Sequence, residues 1–208
     1  AFDLLALPKE NIICITMPGF GTTKRTKSSA VTLTECIGAQ LRDIDIVPAC
    51  TQHMRDIGHD MSILDVTYEN VQARERTQIL MDTANKEGAL LVGTGDLSEL
   101  ALGWCTYNAD HMSMYGVNCS VPKTLVRYLV DFVADERGGK LGEVLREILA
   151  TPVSPELLPP DKNGKIAQKT EDTLGPYEVH DFFLYHFQRF GASPDKLMFM
   201  ACRAFDGV

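Results

Sequence analysis

The chain has 208 residues, of which 45% are apolar and 23% charged, and its formal net charge is −8 at pH 7. This is the composition of a globular domain with a sizeable core, and the negative charge argues against a general nucleic-acid binder, because phosphate contacts need a surplus of Lys and Arg. A pocket for one anionic nucleotide remains compatible with it, provided that a few cations and backbone amides converge locally.

The cysteines and the hydropathy pattern indicate the compartment. No two cysteines form a Cys-x-x-Cys pair, so the sequence indicates neither a zinc site nor a disulfide scaffold. No apolar run approaches the roughly 20 residues needed to span a bilayer, and no signal peptide is visible. We therefore expect reduced thiols in a cytoplasmic protein that contacts no membrane. The cysteines are Cys14, Cys36, Cys50, Cys105, Cys119 and Cys202.

The first residues suggest a fragment. Residues 1–8 lack an initiator Met and place apolar side chains at helical spacing, so we expect the last turns of a helix that begins upstream. Residues 11–17 then form a short continuous apolar run, which predicts a strand buried on both faces. A flexible Pro-Gly-Phe-Gly loop at residues 18–21 follows this strand.

The remaining elements alternate in type along the chain. The sequence predicts a helix at 22–37 ending at Gly38, an edge strand at 41–46, a helix after Pro48 and a helix at 67–86. It then predicts a buried strand at 89–92, helical structure over 121–150, a polar Pro-rich segment at 151–175 and a final amphipathic helix at 176–190. This order predicts a single α/β domain over residues 1–208, with a mostly parallel sheet, helices on both faces and a helical C-terminal part. In such folds ligands bind beyond the carboxyl ends of the strands, here after Met17 and Val92.

The segment after the predicted strand at 89–92 opens with Gly93 and Gly95 and leads into a helix. Glycines let the backbone approach a ligand, and free amides at a helix start favour a phosphate or hydroxyl group. A dinucleotide-binding turn is the alternative, but Ser98 replaces its third glycine and no second strand ending in an acidic residue follows. Hydride transfer is therefore a poor match.

Asp96 and Glu99 either take part in a ligand site or only cap the helix that follows. An Asp followed three residues later by Glu resembles a capping box, which satisfies amide groups at a helix start and is the commoner explanation from spacing alone. Trp104 and Tyr107 follow in a polar run without periodicity. Aromatic side chains in such a loop suit stacking on a flat ring, although they could also be core residues.

Residues 93–108, Gly-Thr-Gly-Asp-Leu-Ser-Glu-Leu-Ala-Leu-Gly-Trp-Cys-Thr-Tyr-Asn, resemble the signature of NAD synthases in the form found in the glutamine-dependent enzymes. Further matching stretches lie in family order at residues 17–23, 68–76, 121–124 and 175–183. The resemblance implies the C-terminal synthetase domain, of the adenine nucleotide alpha-hydrolase-like fold within the ATP pyrophosphatase superfamily.

The resemblance also implies a reaction. ATP adenylates the nicotinate carboxylate of deamido-NAD and pyrophosphate leaves. Ammonia then attacks the adenylate, giving NAD and AMP. Mg²⁺ would offset the phosphate charge. The family takes ammonia from glutamine at a separate nitrilase-like domain, of which we find no trace in these residues. The implied partners are deamido-NAD, ATP and ammonia, with the chain assembled into a homo-oligomer built from dimers.

The site residues are carried over position by position, and no catalytic residue is assigned with certainty. The resemblance assigns ATP binding to Thr94, Lys123 and Ser154, deamido-NAD binding to Arg74, Glu99, Trp104, Cys105, Thr106 and Tyr107, and metal binding to Glu99.

Local patterns bear on two of these assignments. On a helical wheel Arg74 and Arg76 lie at opposite edges of a buried stripe, and a rim position suits a ligand contact for Arg74. Lys123 stands at a predicted helix start, where a cation is unfavourable, and this misfit favours a ligand role.

The family pattern is not fully matched. The family's Ser-Gly-Gly-x-Asp-Ser loop, which cradles pyrophosphate and whose Asp holds magnesium, does not occur in the 208 residues. A basic substrate-binding residue that the family has near its own C-terminus is also unmatched. We therefore expect a domain that is incomplete at its N-terminus and releases no AMP on its own. Two alternatives stay open, a GMP-synthetase-like amidotransferase that binds XMP and a non-catalytic dimerisation module that binds neither ATP nor deamido-NAD.

Overall fold

Short parallel strands form the sheet layer of the computed structural model, which describes residues 1–159 and 169–206. β1 (Ile13–Thr16) pairs in parallel with β2 (Gln40–Asp43), and β3 (Val92–Asp96) pairs in parallel with β4 (Tyr115–Asn118). Within the described residues every strand pairing is parallel, as the sequence predicts. The strands nevertheless form two separate pairs rather than one continuous sheet.

The helices follow the predicted alternation and dominate the C-terminal part. They are α1 (Lys24–Ile37), α2 (Val47–Asp56), α3 (Val66–Glu87), α4 (Leu97–Leu102), α5 (Lys123–Arg137), α6 (Gly139–Leu149), α7 (Thr170–Leu174), α8 (Tyr177–Phe190) and α9 (Pro194–Ala204), with a short 3-10 turn at Lys9–Asn11. None of the described helices is both long and apolar enough to cross a membrane.

The helix boundaries agree with the prediction because capping residues define them. The Thr23 hydroxyl accepts a hydrogen bond from the Thr26 N–H at the start of α1, and the Asp65 carboxylate accepts from two amides at the start of α3. Both helices end at a glycine in the left-handed region, Gly38 with φ 79° and Gly88 with φ 60°.

Two predicted strands are displaced. The third strand begins at Val92 and includes the residues up to Asp96 that were expected to form a loop, and Leu90 and Val92 are 63% and 52% exposed rather than buried. A two-stranded sheet offers few neighbouring side chains to cover them. The strand expected at 41–46 ends at Asp43, because the chain turns and Ile46 enters the core at the start of α2.

Other elements differ more. β4 was not expected, because it is short and contains a glycine that hides its β propensity. The helix at 176–190 is not the final one: Ser193 caps α9, and Pro194 occupies its first turn. Residues 1–7 form turns rather than the end of a helix, although the Leu5 N–H donates to the Ala1 carbonyl at 2.9 Å as in a helical turn.

A buried cluster between α2 and α3 anchors the loop after β1. It consists of Ile46, Cys50, Met54, Tyr68 and Val71, with Met17 and Phe20 packed against it. The Phe20 and Tyr68 rings lie 5.2 Å apart. Burial raises the pKa of the Cys50 thiol to about 11, which keeps it neutral. The cluster therefore fixes the backbone beyond the carboxyl end of β1.

Replacing Met54 by Ala tests this anchoring. We expect the free energy of unfolding to fall by about 2–4 kcal/mol, because Met54 is fully buried and its removal leaves a cavity. Urea denaturation measures the change. Met198→Ala is the matched control, since Met198 is 60% exposed. Equal midpoints for the two variants would contradict the role assigned to this cluster.

Candidate functional site

A cavity of about 580 Å³ lies beyond the carboxyl end of β1 and alongside β3. Met17 borders it directly after β1, and Gly93 and Thr94 border it from β3. Residues 153–155 and Leu157 contribute a further wall. α3 supplies Ala73, Arg76, Thr77 and Leu80. The position agrees with the rule for parallel α/β folds, and the volume suits a small-molecule ligand.

Most of the residues assigned from the sequence meet in this cavity. Those that line it are Thr94, Glu99, Trp104, Cys105, Thr106 and Ser154. Burial raises the pKa of the Cys105 thiol, so this side chain is a neutral wall residue rather than a nucleophile.

Lys123, Arg74 and Tyr107 are not among the lining residues. Lys123 contacts the lining residue Glu99, whereas Arg74 and Tyr107 contact each other. Both are exposed, and the Arg74 Nε donates a hydrogen bond to the Tyr107 carbonyl at 3.2 Å. They form a surface contact next to Thr106, which does line the cavity. Their assignment to deamido-NAD stays a prediction.

Asp96 and Glu99 form a capping box and an ion-pair centre at the same time. The Asp96 Oδ1 accepts a hydrogen bond from the Glu99 N–H at 3.0 Å, and the Glu99 Oε2 accepts from the Asp96 N–H at 3.3 Å. Their other oxygens lie 2.7 and 2.8 Å from the Lys123 Nζ. The capping box predicted from the sequence is therefore confirmed, and each carboxylate has a second oxygen that holds the Lys123 ammonium. Binding of substrate or metal by Glu99 stays a prediction.

Lys123 is held in its charged form. Burial on its own lowers the pKa of an ammonium group, but the hydrogen bonds to Asp96 and Glu99 outweigh it and the pKa of Lys123 is raised. The Lys123 Nζ lies 5.3 Å from the centroid of the Tyr177 ring, a cation–π contact that favours the charged form. Burial raises the pKa of Tyr177 to about 12, and its hydroxyl has no hydrogen-bond partner within the described residues.

Asp181 on α8 fixes the starts of α4 and α5. It is buried; its Oδ1 accepts a hydrogen bond from the Ser98 hydroxyl, and its Oδ2 accepts from the Thr124 N–H and hydroxyl at 2.9 and 2.7 Å. The Lys123 N–H in turn donates to the Ser98 Oγ at 2.9 Å. This network determines where the Lys123 side chain leaves the backbone.

Gln72 joins two walls of the cavity. Its fully buried amide accepts a hydrogen bond from the Phe20 N–H at 3.1 Å and donates to the Leu157 carbonyl at 2.8 Å. The two segments touch so closely that a Cβ on Gly21 would lie 2.3 Å from the Glu156 carbonyl oxygen. The wall that carries Ser154 is therefore attached to the loop after β1.

Sequence reasoning missed several residues of the site. Asn70 lines the cavity, and its Oδ1 accepts a hydrogen bond from the Thr106 hydroxyl at 2.8 Å. Asn70, Gln72 and Asp181 all lie within stretches that match the NAD synthase pattern. That match was their only signal, and it could not tell which side chains meet.

The parallel strand pairs, the helical C-terminal part and the cavity beyond the strand ends define an α/β domain of the adenine nucleotide alpha-hydrolase fold. Residues 3–198 match the NAD synthase family, and the chain belongs to this family.

Comparisons with individual proteins agree. The glutamine-dependent NAD(+) synthetase of Mycobacterium tuberculosis (strain H37Rv) is 42% identical over 213 aligned residues, which cover 99% of this chain and 31% of the relative. The structure of the glutamine-dependent NAD+ synthetase from Acinetobacter baumannii in complex with ADP matches with a TM-score of 0.63 and 23% identity, covering 94% of this chain and 33% of that one. The NMN synthetase from Francisella tularensis matches with a TM-score of 0.69 and 21% identity, covering 98% and 77%.

The chain thus spans about a third of the length of the glutamine-dependent relatives that it matches. The two solved structures are below 25% identity and establish the fold.

Replacing Asp181 by Asn tests the network behind Lys123. We expect the free energy of unfolding to fall by about 1–3 kcal/mol, because an amide group removes one acceptor from a buried set of hydrogen bonds. Urea denaturation measures the loss. Asp82→Asn removes the same charge at an exposed position on α3 and serves as the control. If both variants unfold at the same urea concentration, Asp181 does not hold the helix starts.

Proposed function

We propose that the chain is the synthetase domain of a glutamine-dependent NAD synthase, which uses ATP to convert deamido-NAD to NAD through an adenylated nicotinate carboxylate. The observation that carries the proposal is the cavity, where Thr94, Ser154, Glu99 and the strip Trp104–Thr106 share one lining. Membership of the family and the 42% identical relative support it. The activity requires ammonia, which the proposed parent enzyme would obtain from glutamine.

In this proposal, different side chains bind ATP and deamido-NAD. Thr94, Ser154 and Lys123 would contact ATP, since hydroxyl and ammonium groups donate to phosphate oxygens. The half-buried Trp104 ring and the adjacent Cys105 and Thr106 would recognise deamido-NAD. Adenylation is needed because a carboxylate is a poor electrophile, and mostly apolar walls would keep water from the adenylate before ammonia attacks.

The carboxylates suit a magnesium ion. Mg²⁺ prefers oxygen ligands, and the oxygens of Asp96 and Glu99 that would bind it are the ones that hold the Lys123 ammonium. The ammonium would therefore have to leave them for a phosphate of ATP before the ion binds. Within the described residues no group of at least three Asp, Glu, His or Cys side chains could hold a metal, so phosphates and water would complete the ligand set. When bound, Mg²⁺ would neutralise phosphate charge, and Glu99 with Asp96 would hold it.

A homo-oligomer built from dimers belongs to the proposal. Apolar side chains are exposed on the C-terminal helices, including Tyr128 at 75%, Phe132 at 64%, Phe187 at 60% and Phe199 at 64%. Exposed apolar groups of this kind mark association surfaces. We place the protein in the cytoplasm because its described cysteines are free thiols.

Ligand binding to the 208-residue chain tests the proposal through its single tryptophan. Because Trp104 lines the cavity, deamido-NAD should change its fluorescence in a saturable way. Calorimetry with ATP and Mg²⁺ should show a second ligand, and XMP should not bind. Binding of XMP instead of deamido-NAD would favour a GMP-synthetase-like enzyme. Binding of neither ATP nor deamido-NAD would favour a dimerisation module and contradict the proposal.

Replacing Lys123 by Met tests the assignment of ATP phosphates. We expect affinity for ATP with Mg²⁺ to fall about 10- to 100-fold, the usual effect of losing a charge-assisted hydrogen bond. Lys140→Met removes the same charge from a side chain that is 67% exposed, and it controls for net charge. Equal affinities of the two variants, measured by calorimetry, would remove Lys123 from the ATP site.

A further inference from the structure

Arg76 lies on α3 where two cavities meet. It lines the cavity of about 580 Å³ described above, and it also lines a second cavity of about 390 Å³ bordered by Cys14, Ile15 and Thr16 of β1. The side chain is half-buried. Its guanidinium group therefore stands at the boundary between the candidate site and the sheet.

Among the described residues, the guanidinium group has only weak, neutral hydrogen-bond partners. Its Nε donates to the Met17 carbonyl at 3.3 Å, and its Nη2 donates to the Thr22 Oγ1 at 3.4 Å. Both distances exceed the usual range for N–H donors. The other N–H donors of the group have no hydrogen-bond partner among the described residues and are available to a ligand.

No carboxylate of the described residues forms an ion pair with Arg76. Arg25, Arg42, Arg137 and Arg146 each lie within ion-pair distance of an Asp or Glu. Burial lowers the pKa of Arg76, and the Glu156 carboxylate offsets this only in part. The Glu156 Oε1 accepts a hydrogen bond from the Thr26 hydroxyl, and no ion pair with Arg76 forms within the described residues.

The charge on Arg76 is costly where it stands. Burial lowers the pKa of its guanidinium group, although an arginine remains protonated at neutral pH. A partly buried charge without a counter-ion is unfavourable, whereas an anion that reaches it gains a strong, bidentate interaction. The cavity gives an anion access to this position.

We propose that Arg76 binds a phosphate group of the nucleotide that occupies the cavity. The inference rests on the proposed function and adds to it an arginine different from Arg74, which is exposed and not among the lining residues. A planar guanidinium group matches the geometry of phosphate oxygens, and both ATP and deamido-NAD carry phosphates.

The rival explanation is that Arg76 only ties the loop after β1 to α3. Gln keeps a hydrogen-bond donor for the Met17 carbonyl but carries no charge, so Arg76→Gln separates the two roles. Arg76→Met removes both roles, and Arg76→Lys keeps the charge without the planar fork. Arg55→Met is the control, because Arg55 is an exposed residue of α2 and the change in net charge is the same.

The experiment measures affinities of the 208-residue chain for tripolyphosphate, ATP with Mg²⁺ and deamido-NAD by calorimetry and Trp104 fluorescence. We expect Arg76→Met and Arg76→Gln to lower the affinity for tripolyphosphate and for at least one nucleotide about 10- to 100-fold relative to Arg55→Met. Arg76→Lys should lie between them and the unchanged chain. The nucleotide that loses affinity identifies whose phosphate Arg76 contacts.

Other outcomes separate this inference from the proposed function. Wild-type affinity in Arg76→Gln, or equal affinities of Arg76→Met and Arg55→Met, would overturn the inference alone. If Arg76→Met is unfolded in urea titrations, Arg76→Gln and Arg76→Lys decide the result. If tripolyphosphate binds through Arg76 but neither nucleotide binds, Arg76 is still a phosphate-binding residue and the proposed function is refuted. Failure of the unchanged chain to bind any of the three would refute both.

Discussion

The site depends on a shared use of two carboxylates at the start of α4. A helix start exposes N–H groups that need acceptors, and Asp96 and Glu99 supply one oxygen each in a reciprocal pair of hydrogen bonds. This arrangement fixes both side chains, so their remaining oxygens point to one place and hold the Lys123 ammonium. The same local geometry that begins the helix therefore builds the charged centre beside the cavity.

Such a centre needs support, because partly buried charges and polar groups are destabilising unless their partners are in place. The Asp181 carboxylate connects α8 to the starts of α4 and α5 through Ser98 and Thr124. Gln72 on α3 connects two other segments by hydrogen bonds, the loop after β1 at Phe20 and the segment that contains Leu157. Neither residue lines the cavity. Both act by fixing the backbone from which the lining side chains project.

The local parts of this arrangement could be predicted from sequence, and the tertiary parts could not. Caps and glycines predict the ends of α1 and α3 because those signals act within a few residues. A helical wheel also places Arg74 and Arg76 on opposite edges of α3. Which edge borders the cavity depends on the positions of β1 and β3, which no pattern within the helix contains. The spacing of Asp96 and Glu99 likewise predicts the capping box, because both residues lie in one helical turn. It does not predict their contact with Lys123, which belongs to a different helix.

Fold alone does not select the substrate, since an NMN synthetase and a glutamine-dependent NAD+ synthetase both match this chain structurally. Size provides a further argument. A cavity of about 580 Å³ is in the range for one drug-sized ligand, and ATP together with a dinucleotide is larger. If the proposed function is correct, part of deamido-NAD would lie outside the cavity, next to the strip that continues from Thr106. The exposed contact between Arg74 and Tyr107 begins there. Under the proposed function, a mononucleotide would leave the contact between Arg74 and Tyr107 unused, so this contact, rather than the cavity, is where a dinucleotide would be distinguished.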